Sequence, residues 1–174
     1  MLKKRILPAA LLTLSVVVTG ASSVMTQQTE TLREEFHQSY PLSPNGRVSL
    51  SNINGSVRVS AWDRNEVKVD AVKTARRRDR LDEAKVVVSA DPNSIHVETD
   101  YPQRTLNFEN NDGEENYNNP ATVEYTLTVP RGARVDSIEL INGDLNIDGV
   151  AGDVKASSIN GKLSARELGG DVRL

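Results

Sequence analysis

Near the end of the chain, apolar and polar residues alternate in short runs that each follow a glycine. Gly143, Gly152, Gly161 and Gly170 lie nine residues apart, and the second and fourth residues after each glycine are apolar while the first and third are polar. An alternation of period two is typical of a strand with one buried face. Each glycine can adopt the positive φ of a tight corner. The pattern therefore predicts a repeated unit of one corner and one short strand.

The phrase Ile-Asn-Gly returns after two such units, at Ile141–Gly143 and Ile159–Gly161. One coil would then contain two strands, and successive coils would stack at the ordinary strand spacing of about 4.8 Å. The sequence predicts an all-β fold, a short β-solenoid of nine-residue half-coils. A β-sandwich of antiparallel hairpins is the alternative, because Asn-Gly corners also suit hairpins. The solenoid predicts these stacked pairs: Ile141 on Ile159, Leu145 on Leu163, Ile147 on Ala165, Val150 on Leu168 and Val154 on Val172.

An earlier segment of the chain shows the same nine-residue spacing of glycines and the same alternation. Gly46 and Gly55 are nine residues apart, Ile53-Asn54-Gly55 restates the phrase, and an alternating strand follows at Glu66 to Val72. Between the two blocks the period breaks, which predicts an irregular middle insertion. Its expected parts are a short charged surface helix at Ala75 to Lys85, strands at Val86 to Ala90, Ser94 to Asp100 and Ala121 to Val129, and a polar loop before the last strand.

The N-terminus is typical of an exported protein. Lys3, Lys4 and Arg5 precede the apolar stretch Ile6 to Val18, and small residues follow, so residues 1–21 are predicted to be a signal peptide. An uncleaved membrane anchor is the alternative, since apolar character continues to Met25. Residues 22–44 are interpreted as a polar linker or mobile arm and residues 45–174 as the β-repeat domain. The expected location is periplasmic, cell-surface or secreted.

The amino-acid composition excludes several classes of function. The length of 174 residues suggests one domain, and with 4% aromatic residues its core must be built from Val, Ile, Leu and Ala. A net charge of −3 argues against a nucleic-acid partner, because phosphate binding needs a clustered positive surface. The absence of cysteine excludes thiol catalysis and a lipid-modified cysteine anchor.

Two polar segments invite a binding hypothesis. Asn110 to Glu115 resembles a calcium loop, but Phe108 and Asn119 occupy places where an EF-hand needs oxygen ligands, so a solvated loop is favoured. The run Arg76 to Arg80 could bind anionic lipid or glycan phosphate. Three acidic residues dilute its charge, and we interpret it as a solvated helix face: Asp79, Asp82 and Glu83.

Other candidate residues predict no catalytic, cofactor or metal site. His37 and His96 share no motif, which makes a metal site or a nucleophilic triad improbable. Trp62 is assigned to the core. Carboxylates on a β-helix can hydrolyse glycans, but here they recur at successive repeats, as on a solvated outer face: Asp144, Asp148, Asp153 and Asp171.

Three stretches resemble a known family. Gly55 to Val59 leads into Ala61-Trp62-Asp63-Arg64-Asn65-Glu66-Val67, and Tyr125 to Gly132 ends in Val-Pro-Arg-Gly just before the Asn-Gly-Asp repeats. Together they resemble the bacterial "putative adhesin" domain family, a group of exported or membrane-attached β-repeat domains. The likeness spans about Asn45 to Leu174. It implies a β-repeat fold, and its motifs are structural, so it assigns no functional residues.

Members of that family usually carry more repeats, whereas this sequence stops at Leu174 within a half-built coil. Either the sequence is truncated or the open edge pairs with another copy. The function expected first is an exported, non-enzymatic envelope or surface domain that binds an envelope glycan or protein through its repetitive faces. The alternatives are an accessory protein of envelope stress or signalling, which would need a protein partner, and a carbohydrate-active β-helix enzyme, which would cluster its carboxylates in one cleft.

Overall fold

The computed structural model describes residues 31–101 and 120–174 of the chain. These residues belong to the all-β class, with one short helix. The elements in chain order are β1 Leu32–Pro41, β2 Arg47–Asn54, β3 Val57–Trp62, β4 Glu66–Ala75, α1 Arg78–Glu83, β5 Lys85–Asp91, β6 Ser94–Asp100, β7 Thr122–Pro130, β8 Arg134–Asn142, β9 Leu145–Asp148, β10 Val154–Asn160, β11 Leu163–Arg166 and β12 Val172–Arg173.

The strands form two mixed, open sheets of six strands. One sheet, here called sheet A, has the order β1-β4-β7-β3-β9-β11, and sheet B has the order β12-β10-β8-β2-β6-β5. Strands β2 and β3 lie in different sheets, as do β8 and β9, and β10 and β11. Each coil therefore gives one strand to each sheet. The inward side chains of both sheets form one core, in which Leu50 and Ile138 come from sheet B and Leu127 and Leu145 from sheet A.

The strand register confirms a repeat of eighteen residues. Leu145 pairs with Leu163 and Ile147 with Ala165 in parallel strands, and Val154 pairs with Val172 in the other sheet. Parallel pairing follows because each coil returns to the same corner before its next strand begins. The alternative of antiparallel hairpins is therefore wrong for the repeats.

The order of the coils in space differs from their order in the sequence. Strand β2 lies between β6 and β8 in sheet B, and β3 lies between β7 and β9 in sheet A, all in parallel pairs. The earlier block is thus held between the β6–β7 segment and the C-terminal coils. The prediction of an irregular middle insertion is wrong for β6 and β7, which extend both sheets, because their alternating residues present the same buried face.

The interpretation of residues 22–44 as a linker or arm is wrong for Leu32–Pro41, which form β1 and pair antiparallel with all of β4. The apolar residues Leu32, Phe36 and Tyr40 are four apart, a spacing that suggests a helix. In the strand they share one face with two polar residues. Glu34 pairs with Lys73, and Gln38 accepts a hydrogen bond from the Tyr40 hydroxyl. Their polar groups are satisfied, so the strand forms without a continuous apolar face.

The middle segment contains the predicted helix, but it is shorter, spanning Arg78–Glu83. The interpretation as a solvated face is wrong for Arg80, which is 7% exposed, and Leu81 beside it is fully buried. The prediction that Trp62 lies in the core is also wrong. Its ring is half-buried at a strand end, with the Arg64 guanidinium 4.9 Å from the ring centroid.

Residues 1–21 and the segment Asn110 to Glu115 lie outside the described residues, so the signal-peptide and calcium-loop predictions stay predictions. Within residues 31–101 and 120–174, no helix has the length and apolar character needed to cross a membrane.

Candidate functional site

The three Ile-Asn-Gly phrases stack in one column at a corner of the molecule. Asn54 at the end of β2 is in register with Asn142 at the end of β8, which is in register with Asn160 at the end of β10. The amide of Gly55 donates to the carbonyl oxygen of Asn142 at 2.9 Å, and that of Gly143 to Asn160 at 3.0 Å. We call the set Ile53–Gly55, Ile141–Gly143 and Ile159–Gly161 the corner column.

The glycines of the corner column leave no room for a side chain. Gly55 and Gly143 have φ of +122° and +145°, a region that favours glycine. A Cβ on Gly143 would lie 2.5 Å from the carbonyl oxygen of Gly55, and one on Gly161 would lie 1.9 Å from that of Gly143. The glycine in each phrase is therefore required for the close stacking of successive coils.

Asparagine side chains join the coils of the corner column. Asn160 donates from Nδ2 to Oδ1 of Asn142 at 3.0 Å, and Asn54 donates from Nδ2 to Oγ1 of Thr122 at 3.2 Å. The second bond continues the polar line onto β7. The isoleucine before each asparagine points outward, and the exposed fractions are 39% for Ile53, 40% for Ile141 and 73% for Ile159. The column therefore presents exposed aliphatic groups beside a line of amides, repeated once per coil.

Two of the repeated aspartates also join coils. Oδ1 of Asp144 accepts a hydrogen bond from the backbone N–H of Lys162 at 2.9 Å, and Oδ1 of Asp153 accepts one from Asp171 at 3.0 Å. The prediction that these carboxylates lie on an exposed face is confirmed. The sequence analysis missed that these aspartates link successive repeats. The sequence did contain a signal for this role, because a polar residue follows the glycine at positions eighteen residues apart.

A buried polar network that the sequence analysis missed connects the two sheets. Asn52, 2% exposed, donates to the carbonyl oxygen of Val123 at 2.9 Å and accepts from the Thr99 hydroxyl at 2.9 Å. The Thr99 and Tyr125 hydroxyls are 2.7 Å apart. Burial raises the pKa of Tyr125 to about 12. The signal was an asparagine at an inward-facing position of a strand, where the alternation calls for an apolar residue.

The two histidines lie on different sheets. His37 on β1 contacts Asp70 at 2.7 Å and Glu35 at 3.1 Å. Hydrogen bonds to Asp70 and then Glu35 raise the pKa of His37, and its contact lowers the pKa of Glu35. His96 on β6 contacts the Ser49 hydroxyl at 2.9 Å. Among residues 31–101 and 120–174, no group of three or more His, Cys, Asp and Glu side chains is placed to hold a metal ion.

Two motifs that carry the family resemblance meet at the far end of β3. The Arg131 side chain contacts Asp63 at 2.9 Å, and the Arg131 amide donates to the carbonyl oxygen of Trp62 at 3.0 Å. The hydrogen bond from Arg131 and the positive charge of Arg131 lower the pKa of Asp63. The indole N–H of Trp62 donates to the carbonyl oxygen of Glu66 at 2.8 Å. These contacts close a corner of the fold, which is a structural role.

The arginine segment lies at the edge of a cavity of about 220 Å³. Arg76, Arg77 and Arg80 line it together with residues of β4 and β7. Arg77 also contacts Asp79 at 3.0 Å, and Arg80 contacts Glu83 at 3.0 Å. The structure thus places these three arginines at one cavity, whereas the sequence analysis interpreted the arginine run as the solvated face of a helix.

Comparisons with known proteins give low similarity. No family model matches the chain, and no curated protein matches it. Among solved structures, a putative cell adhesion protein from Clostridium sporogenes is 12% identical with a TM-score of 0.37; the match covers 76% of this chain and 59% of that one. A putative adhesin from Bacteroides fragilis is 9% identical with a TM-score of 0.31, covering 80% and 96%.

A putative lipid binding protein from Parabacteroides distasonis is 11% identical with a TM-score of 0.32, and the match covers 79% of this chain and 67% of that one. This chain spans only 59% of the Clostridium sporogenes protein. Proteins named as putative adhesins are thus among the solved structures that this chain resembles.

Proposed function

We propose that this chain is an exported, non-enzymatic envelope or surface domain of adhesin-like type, which binds an extended envelope glycan along the corner column. The observation that carries the proposal is the repetition of one set of groups, an exposed isoleucine beside an asparagine amide, in three coils that are in register. A repeated surface suits a polymer whose units also repeat. Sugar rings have apolar C–H faces and hydroxyls, which match aliphatic and amide groups.

The proposed architecture is a short β-solenoid segment with two strands per coil. Eighteen-residue register, parallel pairing and the stacked glycines support it. Such a scaffold keeps the column straight, because each coil is held to the next by backbone and side-chain hydrogen bonds.

The proposed absence of catalysis is supported by the use of the carboxylates. Asp144 and Asp153 each accept a backbone N–H of the next coil, which is a structural task. Glycoside hydrolysis needs two carboxyl groups facing each other across a cleft.

The test is retention of the purified domain, residues 22–174, on isolated cell envelopes separated into glycan and protein fractions. The double variant Ile141→Ser/Ile159→Ser removes two members of the column. Val87→Ser is the matched control, because Val87 is 36% exposed and lies on β5, at the far edge of sheet B. We expect saturable retention on the glycan fraction that the double variant loses and the control keeps.

Retention by a single envelope protein, with none on glycan, would instead support the accessory role. Equal retention of the double variant and the wild type would place binding elsewhere on the molecule and overturn the proposal for the column.

A further inference from the structure

The outer face of sheet A contains a shallow recess of about 160 Å³ next to the corner column. The side chains of Val57 and Tyr125 point into the core, so only their backbone atoms reach the floor of this recess. Its wall is made of polar residues on β3, β7 and β9 and of the residue just before β3. We call the set of these wall residues the sheet A recess: Ser56, Arg58, Glu124, Thr126 and Asn146.

The strand register fixes the positions of these side chains relative to one another. Arg58 is in register with Thr126 on one side and with Asn146 on the other, so the three form one row across the sheet. Glu124 lies two residues before Thr126, on the same face of β7. Because three neighbouring strands hold the recess, its groups keep a spacing that a mobile loop would not provide.

The polar groups of the sheet A recess are not used inside the protein. Across residues 31–101 and 120–174, none of the five side chains makes a hydrogen bond or an ion pair. Elsewhere on the same face, Asp70 contacts Lys68 at 2.8 Å and His37 at 2.7 Å. A guanidinium has only donors, a carboxylate only acceptors, and amide and hydroxyl groups have both. The recess therefore offers donors and acceptors side by side to a ligand.

The opposite charges of Arg58 and Glu124 determine which ligand suits the recess. The two residues lie on adjacent strands and the same face, yet they form no ion pair in the described part of the chain. A hydroxyl group placed between them accepts a hydrogen bond from the guanidinium and donates one to the carboxylate. An anion would be attracted by Arg58 and repelled by Glu124. The pair therefore favours a neutral ligand rich in hydroxyl groups.

We propose that the sheet A recess binds one neutral sugar ring of the glycan, through two neighbouring hydroxyl groups held between Arg58 and Glu124. The volume of about 160 Å³ equals about five water molecules at roughly 30 Å³ each, which leaves room for a single ring. The amide and hydroxyl groups beside the pair bind the other ring hydroxyls. The inference rests on the proposed function, to which it adds a subsite. Ser56 directly follows Gly55 of the corner column, so a glycan on the column can reach the recess.

The test is titration of the purified domain, residues 22–174, with the methyl glycosides of glucose, mannose and galactose, followed by NMR. Mannose and galactose each differ from glucose in the orientation of one hydroxyl, which changes the neighbouring pairs. Inorganic phosphate and glucuronate are the charged comparison ligands. The backbone amides of β3, β7 and β9 and the side-chain amide of Asn146 report on the recess.

Arg58→Gln and Glu124→Gln are the informative variants, because each removes one charge of the pair and both residues are exposed. Arg166→Gln is the matched control. Arg166 is also exposed and lies on the outer face of sheet A, on β11, but it does not line the recess. Thermal unfolding checks that all three variants fold.

We expect saturable binding of at least one methyl glycoside, with the largest shifts in the recess. Binding should be about 10-fold weaker in Arg58→Gln and in Glu124→Gln and unchanged in Arg166→Gln. A deoxy analogue that lacks one hydroxyl of the bound pair should lose a similar factor. The proposal is overturned if none of the three glycosides saturates, if phosphate or glucuronate binds more tightly than the sugars, or if Arg166→Gln loses as much as Arg58→Gln.

These outcomes are separate from those for the corner column. The double variant Ile141→Ser/Ile159→Ser leaves the recess residues intact, so it should bind the monosaccharide as the wild type does. Failure of the column proposal would show as equal retention of that variant and the wild type on envelopes. Failure of the recess proposal would show as absent monosaccharide binding, while retention on envelopes still depends on the column.

Discussion

Asn160 donates a hydrogen bond from Nδ2 to Oδ1 of Asn142 at 3.0 Å, although the two residues are eighteen positions apart. One bond of this kind stabilises a folded protein by about 0.5–1.5 kcal/mol. We expect a double-mutant cycle of Asn142→Ala and Asn160→Ala, measured by urea unfolding, to give a coupling free energy of about 0.5–1 kcal/mol. Strict additivity of the two substitutions would show that the side chains do not interact.

Substituting a glycine of the corner column should destabilise the protein more than substituting a glycine at another corner. Gly143→Ala places a Cβ 2.5 Å from the Gly55 carbonyl oxygen and requires a φ near +145°. At Gly149, with φ of +74°, a Cβ would meet only the Ala61 Cβ at 3.7 Å. We expect Gly149→Ala to lower the free energy of unfolding by about 1–2 kcal/mol and Gly143→Ala to lower it further. Similar losses at both positions would contradict this close approach of backbones.

The buried network around Asn52 should be costly to interrupt. Asn52→Ala leaves the Val123 carbonyl and the Thr99 hydroxyl without this partner, and an unsatisfied buried group costs about 1–3 kcal/mol. Tyr125→Phe is the milder control, because Thr99 keeps its bond to Asn52. We expect chemical unfolding to show a distinctly larger loss for Asn52→Ala. A larger loss for Tyr125→Phe would mean that the hydroxyl pair dominates the network.

Lys73 should hold α1 against the sheet. Its Nζ donates to the carbonyl oxygen of Leu81 in the helix at 3.4 Å and to that of Ala84 just after it at 3.1 Å, and it lies 3.2 Å from Oε2 of Glu34 on β1. We expect Lys73→Met to lower the unfolding free energy by about 1–3 kcal/mol and to speed hydrogen exchange in Arg78–Glu83, because the helix carbonyl loses its donor. Lys68→Met, on the same strand but exposed, should cost about 0–1 kcal/mol. Unchanged exchange in the helix would remove Lys73 from this role.

The contact of β1 with β4 should depend on pH through His37. The pKa of His37 is raised, so its contribution is present below the ordinary value of 6.5 and is lost as pH rises through the raised pKa. Partial burial opposes ionisation of Asp70, but Lys68 and His37 hold the pKa of Asp70 below 3.8, and His37 holds that of Glu35 below 4.5. The stability that Asp70 and Glu35 contribute is lost as pH falls through their lowered pKa values. The contact therefore stabilises the protein fully only at pH values between the pKa values of these carboxyl groups and the pKa of His37.

The measurement is the urea midpoint of the wild type and of His37→Gln at pH 5.5 and pH 8.5. We expect the variant to be less stable at the lower pH and to approach the wild type at the higher one. The same substitution at His96, on the other sheet, is the control. A constant difference between wild type and His37→Gln at both pH values would contradict the assigned ionisation.

Local pattern was enough to predict most strands and the stacking of the repeats. The alternation after Gly143 and Gly161 correctly predicted that Leu145 pairs with Leu163. A period-two pattern fixes which side chains face inward, and the regular spacing of the glycines fixes the length of the repeat. Strand β6 was predicted with its observed bounds, Ser94–Asp100, for the same reason.

Strand β1 could not be predicted, because its apolar residues are four apart and its remaining inward positions are polar. Glu34 is stable there because Lys73, 39 residues later in the sequence, lies opposite it. The roles of Asn52 and Arg80 depend in the same way on distant partners or on burial that no local pattern encodes.

By itself, then, the sequence determined the all-β class, the eighteen-residue repeat and the need for glycine at the corners, since these follow from residue-level geometry and from the spacing of the repeats. The tertiary structure alone decided that the β2–β3 coil lies between β6–β7 and β8–β9, that β1 completes sheet A, and that three arginines meet at one cavity. The physical reason is that contacts between elements far apart in the chain depend on which strands become neighbours in a sheet, and short-range alternation does not specify those neighbours.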